Sequence, residues 1–300
     1  MTSEVFFSIY SMEIKGIFKE SGVATRLLLL VIICLLLSLA GGLLTVALMG
    51  ADLTELPALR TAQAIQSIAI FLLPPFALAF LLSLRPFEFL QLNKVPLISG
   101  SLLTILLMIV LIPGINLQGD LNGLIRLPAA LSGLEQELQG LEARAEAMTV
   151  RLLSVDSFQG LLLNLALIAV LPALAEELFF RASLQRILHD KLGAHAAVWI
   201  AAIVFSTIHF QFYGFIPRVL LGALMGYLLV WSGNLWIPIL AHFVNNAMAV
   251  LFYYFKAKGM ATIDLEQIGG LSSFYWGLAS LVVAVVVIAF IFRRSRRGAF

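Results

Sequence analysis

Apolar residues in this chain gather into runs of roughly twenty, the length an α-helix needs to cross a hydrocarbon core of about 30 Å. Eight such runs can be placed, near residues 25–49, 63–84, 98–117, 158–180, 195–213, 216–232, 235–255 and 272–292. Within lipid every backbone N–H and C=O has to find its partner inside the chain. The expected fold class is therefore all-α, a polytopic integral membrane protein of about eight transmembrane helices. Composition agrees. Only 12 % of the 300 residues are charged and mean hydropathy is +1.01, whereas a soluble domain carries about a quarter charged residues. A net charge of +2 says little about partners by itself; the bilayer is the expected surround, and no nucleic-acid partner is expected.

Residues 1–24 carry Glu4, Glu13, Lys15, Lys19 and Glu20 and read as an amphipathic lead-in to the first span rather than a cleavable signal peptide. Pro74-Pro75 should kink the second span, and the third should end near Pro113-Gly114. With eight spans both termini share one side. That side collects twelve Lys and Arg, including the terminal cluster Arg293, Arg294, Arg296 and Arg297, against seven on the other. The excess favours cytoplasmic termini, and the expected location is the inner (cytoplasmic) membrane. Cys34 is the chain's one cysteine, so an intrachain disulfide and a cysteine-based metal site are both excluded. No internal repeat relates the two halves, and polar residues concentrate in the second. A transporter built of two similar halves is disfavoured.

One segment is not membrane-like. Residues 118–157 hold Asp120, Glu135, Glu137, Glu142, Glu146 and Asp156, while Leu131, Leu134, Leu138, Leu141, Ala145, Met148, Leu152 and Val155 recur in steps of three and four. This predicts an extramembrane amphipathic helix with Glu and Arg opposite an apolar seam. The seam would pack on the protein's own spans or the bilayer surface; self-association through 131–155, or a lid over a site, are the other uses it could serve. The chain thus divides into N-terminal membrane helices (1–117), the amphipathic segment (118–157), a polar-bearing membrane core (158–255), and a last span with a basic tail (256–300).

Ionisable residues inside a span cost several kcal/mol unless paired or hydrated, and three groups of them fall on the fourth, fifth and seventh spans. In Glu176-Glu177-Leu178-Phe179-Phe180-Arg181, Glu177 and Arg181 are four apart and face each other in the favourable order for an ion pair. Glu176 lies ~100° around the helix from Glu177, which makes it the candidate general base. In Phe205-Ser206-Thr207-Ile208-His209, Phe205 and His209 share a helix face, so the ring can orient the imidazole. In His242-Phe243-Val244-Asn245-Asn246, Asn246 shares His242's face, and neutral donors aimed at one point can stabilise an oxyanion. Taken singly, each group also fits interfacial residues or helix–helix hydrogen bonding.

Glu-Glu-x-x-x-Arg, Phe-x-x-x-His and His-x-x-x-Asn, in that order on successive membrane helices, resemble the CPBP (CAAX protease and bacteriocin-processing) family, also called Abi. Its eukaryotic relatives are the type II CAAX prenyl endopeptidases. Pro172 and Leu235-Trp236-Ile237-Pro238-Ile239-Leu240-Ala241 look like that family too, over residues ~158–250. The resemblance implies an intramembrane endopeptidase acting on membrane-associated peptides or proteins. Glu176 would activate water with help from His209, His242 and Asn246 would hold the oxyanion, and Glu177, Arg181, Phe205 and Asn245 would support them. No cofactor is expected, since Asn246 suits an oxyanion better than zinc, though two histidines and a glutamate could hold that ion. The rival readings are a non-catalytic immunity or scaffold protein and a proton-coupled transporter. By helical rise His209 lies ~20 Å from the start of its span and His242 ~10 Å from the start of its own. Their meeting therefore requires stagger, tilt, or a dip of 181–197 into the membrane.

Overall fold

The computed structural model describes residues 14–50, 52–260, 267–298 and 300, and every regular element among them is helical. Glu4 and Glu13 of the expected lead-in lie outside the described residues. Among the described residues seven helices are long and apolar enough to cross a membrane: α1 (Val23–Met49), α2 (Leu56–Leu82), α3 (Ile98–Gly123), α5 (Phe158–Thr207), α6 (Phe215–Ser232), α7 (Trp236–Ala257) and α8 (Leu271–Ser295). The amphipathic α4 (Ser132–Leu153) lies between α3 and α5. Seven stand where eight spans were expected because the fourth and fifth are joined in α5. Its 50 residues would rise about 75 Å, far beyond one hydrocarbon thickness. The stretch is broken at Gly193, where φ is 77° and ψ 172°; only glycine holds that conformation cheaply.

The chain forms two units, residues 1–95 with 174–197, and 96–173 with 198–300. In the first, α1 and α2 pack closely: a Cβ on Gly41 would lie 2.7 Å from the Ala69 Cβ. Leu30, Leu78, Leu82 and Ile187 form its apolar core, and Arg26 pairs with Asp190 at 2.7 Å. The prolines at 74 and 75 disturb α2 as expected, and the disturbance takes the form of a π-helical turn, Ile68–Leu72, just ahead of them. Leu35, Leu36, Leu39 and Leu43 of α1 are 63–64 % exposed, a contiguous apolar surface that suits lipid.

In the second unit α3 packs on α8 and α7, around Leu107, Met108, Leu111, Ile237 and Ile291. The expectation that the third span ends near Pro113-Gly114 is corrected: α3 runs through Pro113 to Gly123. Ser280 of α8 supports that turn. Its hydroxyl accepts from the Gly114 N–H at 3.0 Å and donates to the Val110 carbonyl at 2.5 Å. These are the i and i+4 groups of the proline's own turn, so a neighbour's side chain bridges the backbone that the proline disturbs.

The face α4 presents also differs from the expected seam. Leu131, Leu134, Leu141 and Met148 are exposed, while Glu135, Leu138, Glu142, Ala145 and Leu152 are half-buried or buried. The contact stripe is shifted one residue along and takes in two of the acids. Leu138, Ala145, Leu152 and Val155 of the expected seam keep their inward place.

Replacing Ser280 with Ala should lower stability by about 1–3 kcal/mol, the effect of leaving buried backbone groups without their partner. The loss should shrink in a Pro113→Ala background, where the helix can bond to itself. Thermal midpoints in detergent for the four chains of this cycle check it, and equal losses in both backgrounds would contradict the account.

Candidate functional site

Glu176, Glu177 and Arg181 lie where the segment Leu171–Glu177 of α5 passes into a π-helical segment, Leu178–Gln185. Glu177 and Arg181 are 0 % and 1 % exposed, and Arg181 Nη1 meets Glu177 Oε1 at 3.0 Å. The guanidinium interacts electrostatically with both carboxylates, more strongly with Glu177 than with Glu176. Phe71, Phe179 and Phe180 pack against one another nearby, with centroids 5.1–6.0 Å apart, and Arg181 lies 5.9 Å from the Phe180 ring. In so apolar a setting neither ion of the pair can be left alone cheaply. Glu176 is half-buried, so the two adjacent glutamates occupy different environments, as their angular separation on the helix requires.

The histidines and asparagines belong to the second unit. The helix expected over 195–213 ends at Thr207, which places His209 in the following turn rather than inside a span. There the chain tightens to three-residue bonds, His209 N–H to the Ser206 carbonyl and Phe210 N–H to the Thr207 carbonyl. Phe210 then takes a φ of +53°, a strained conformation for a bulky residue, costing about 1–3 kcal/mol. The expected contact with Phe205 is nonetheless made. His209 Nδ1 lies 2.7 Å from the Phe205 carbonyl oxygen and the rings are 4.9 Å apart. A carbonyl only accepts, so Nδ1 carries the proton, and Nε2 of the neutral ring is an acceptor. Burial pushes the His209 imidazole down to about 4; the Arg218 cation and His242 push the same way, against the raising effect of the Phe205 carbonyl. At neutral pH the ring is uncharged.

His242, 5 % exposed on α7, stands 6.1 Å from the Phe205 ring at right angles. One phenyl ring therefore contacts both imidazoles. Gly222 of α6 contributes: a Cβ there would lie 3.3 Å from the Phe205 ring. One turn beyond His242, Asn246 donates from Nδ2 to the Ile168 carbonyl at 3.1 Å, inside the π-helical segment Leu165–Val170, and accepts from Asn245 at 3.2 Å. A cavity of about 230 Å³ adjoins Asn245, lined by Ile112, Ile115 and Asn116 of α3 and Met248, Ala249 and Phe252 of α7.

Several groups that hold the His209 turn carried no signal in the sequence. Ser206 donates to the Phe215 carbonyl at 2.9 Å across the loop, and Arg218 donates to Gln211 at 2.6 Å. These bonds close a loop between two helices, and nothing in local spacing announces them. Among the described residues no three His, Cys, Asp or Glu side chains are grouped as ligands for a metal ion.

Comparison with known proteins bears on the same region. Residues 158–248 match the family described as type II CAAX prenyl endopeptidase Rce1-like. An uncharacterized protein of Bacillus subtilis (strain 168), YpbD, is 32 % identical over 89 residues, which is 28 % of this chain and 43 % of that protein. The chain thus matches less than half the length of this relative. No solved structure matches. The matched segment contains all three motifs, and in residues 158–248 this chain is similar to the type II CAAX prenyl endopeptidases.

Proposed function

We propose that this chain is an intramembrane endopeptidase that hydrolyses membrane-associated peptides or proteins. The observation that carries the proposal is that one family match spans the glutamate, histidine and asparagine motifs together. In this reading the Glu176 carboxylate removes a proton from water as its oxygen attacks the scissile carbonyl, and later returns that proton to the leaving amine. His209, with Nε2 bare, accepts a hydrogen bond from the same water. His242 and a second N–H of Asn246 donate to the oxyanion of the tetrahedral intermediate. Glu177 and Arg181 brace the helix that carries Glu176, and Phe205 and Asn245 hold the ring and the amide. The cavity beside Asn245 offers room for an apolar side chain of the substrate.

The protein would act without a cofactor, in the cytoplasmic membrane with both termini inside, on lipid-anchored peptides or leader-like segments. Zinc is kept as the competing source of an activated water. The scaffold reading draws support from the same Glu177–Arg181 and Asn246–Ile168 contacts, so activity has to decide.

Cleavage of an internally quenched peptide, with and without a C-terminal lipid, by purified protein in detergent provides the assay. Glu176→Gln should lower kcat by about 10²–10⁴ with little change in thermal midpoint; full activity in that variant would overturn the mechanism in favour of a scaffold. Loss on chelation, restored by zinc, would favour the metal version.

Glu177→Gln and Arg181→Met should each destabilise by about 3–5 kcal/mol, because each leaves a buried charge behind, and the double replacement should lose less than either. Thermal unfolding in detergent reads this, and additive losses would count against the brace.

His209 also sets a pH dependence. Its proton binds at about 4 in the folded protein and near the ordinary value of about 6.5 in the unfolded chain. Between these values the unfolded chain binds the extra proton, so stability should fall as pH is lowered from about 6.5 towards 4. In His209→Gln, midpoints measured across that window should fall less steeply.

A further inference from the structure

Resting on the role proposed for His209, we infer that Asn122 and Glu142 are positioning residues that hold the His209 loop in register from the segment 118–157. That segment lies outside the family-matched residues 158–248. Asn122, in the last turn of α3, is 3 % exposed. Its Nδ2 donates to the Phe212 carbonyl at 2.9 Å and its Oδ1 accepts from the Ile216 N–H at 3.2 Å. One amide therefore ties the end of the loop to the first turn of α6.

Glu142 of α4 accepts the Tyr213 N–H at 3.1 Å, a charge-assisted bond of the stronger kind. The Tyr213 hydroxyl donates to Glu135 at 3.3 Å and accepts from Gln139 at 3.3 Å, with Arg126 3.9 Å from Glu135. Residues 212, 213 and 216 are thus gripped by a chain segment that contributes nothing to the three motifs. They lie two to six residues beyond Phe210, whose left-handed backbone persists only if its surroundings hold it. The grip also explains why α4 turns Glu135 and Glu142 inward and leaves Leu134, Leu141 and Met148 exposed.

The consequence reaches the imidazole. His209 donates to the Phe205 carbonyl and lies against that ring because the turn after Thr207 is tight. Releasing Tyr213 lets the turn relax and water reach the ring.

The test uses the full-length protein in detergent, with Glu142→Ala beside Glu142→Gln, whose side-chain carbonyl can still accept the Tyr213 N–H. Three quantities are read: hydrogen exchange at the 208–214 amides, the His209 titration by NMR of histidine-labelled protein, and kcat and KM on the quenched lipidated peptide. In Glu142→Ala, exchange at Tyr213 should quicken and the His209 titration should move up towards its ordinary value. Its kcat should fall about tenfold, with KM within about twofold, as expected for a displaced catalytic group. Glu142→Gln should restore all three. Asn122→Leu, if it folds, should repeat the pattern. Unchanged exchange and titration in Glu142→Ala, or a failure of Gln to restore them, would overturn the inference. Full activity in His209→Ala alone would overturn the functional reading instead, and with it the loss of kcat expected here.

Discussion

A polar group in hydrocarbon has no water to fall back on, and much of this structure follows from that. Several buried polar groups and disturbed helix turns are answered by a specific neighbour. The Glu177 carboxylate is met by the Arg181 guanidinium at 3.0 Å. The turn of α3 containing Pro113 is bridged by the Ser280 hydroxyl. The Ile168 carbonyl, in a π-helical turn, receives the Asn246 amide. Leaving any of these groups unmatched costs about 1–5 kcal/mol, a sizeable share of a domain's stability margin. Meanwhile the outward surfaces are leucine, valine and phenylalanine, which lipid solvates without any directional demand.

Partial burial beyond the helix end acts on the His209–Phe205–His242 arrangement as well. The partly buried His209 imidazole stays neutral because desolvation disfavours its charged form, and the bond from Nδ1 to a backbone carbonyl selects the tautomer. The result is a ring with a defined acceptor nitrogen at neutral pH. Its position is a property of a loop rather than of a helix. Loops are mobile unless tied, and Ser206, Arg218, Asn122 and Glu142 supply the ties.

The positions of the apolar runs and the three polar motifs were readable from the chain because each rests on local chemistry. Run length against bilayer thickness locates a span, and spacing of four locates a pair on one helix face, as Glu177 with Arg181 and Phe205 with His209 both illustrate. Features that failed to read out locally depend on a partner far along the chain. Proline at 113 reads locally as a helix end, yet α3 runs through it, and Ser280, 167 positions away, bridges the disturbed turn. Likewise the inward turn of Glu135 and Glu142 on α4 has its partner in Tyr213.

By itself, then, the sequence determined the helical membrane architecture, the order of the motifs along it and the residue types able to do the chemistry. Those depend on hydropathy, helical period and side-chain functional groups, which are properties of short segments. Tertiary structure alone decided that α5 breaks at Gly193 without an intervening loop and that His209 sits beyond the helix end. It also decided that one phenyl ring meets both imidazoles and that the acidic helix grips the loop between them. Each of these is settled by which distant groups complete one another's hydrogen bonds and packing, and that competition is resolved only when the whole chain is folded.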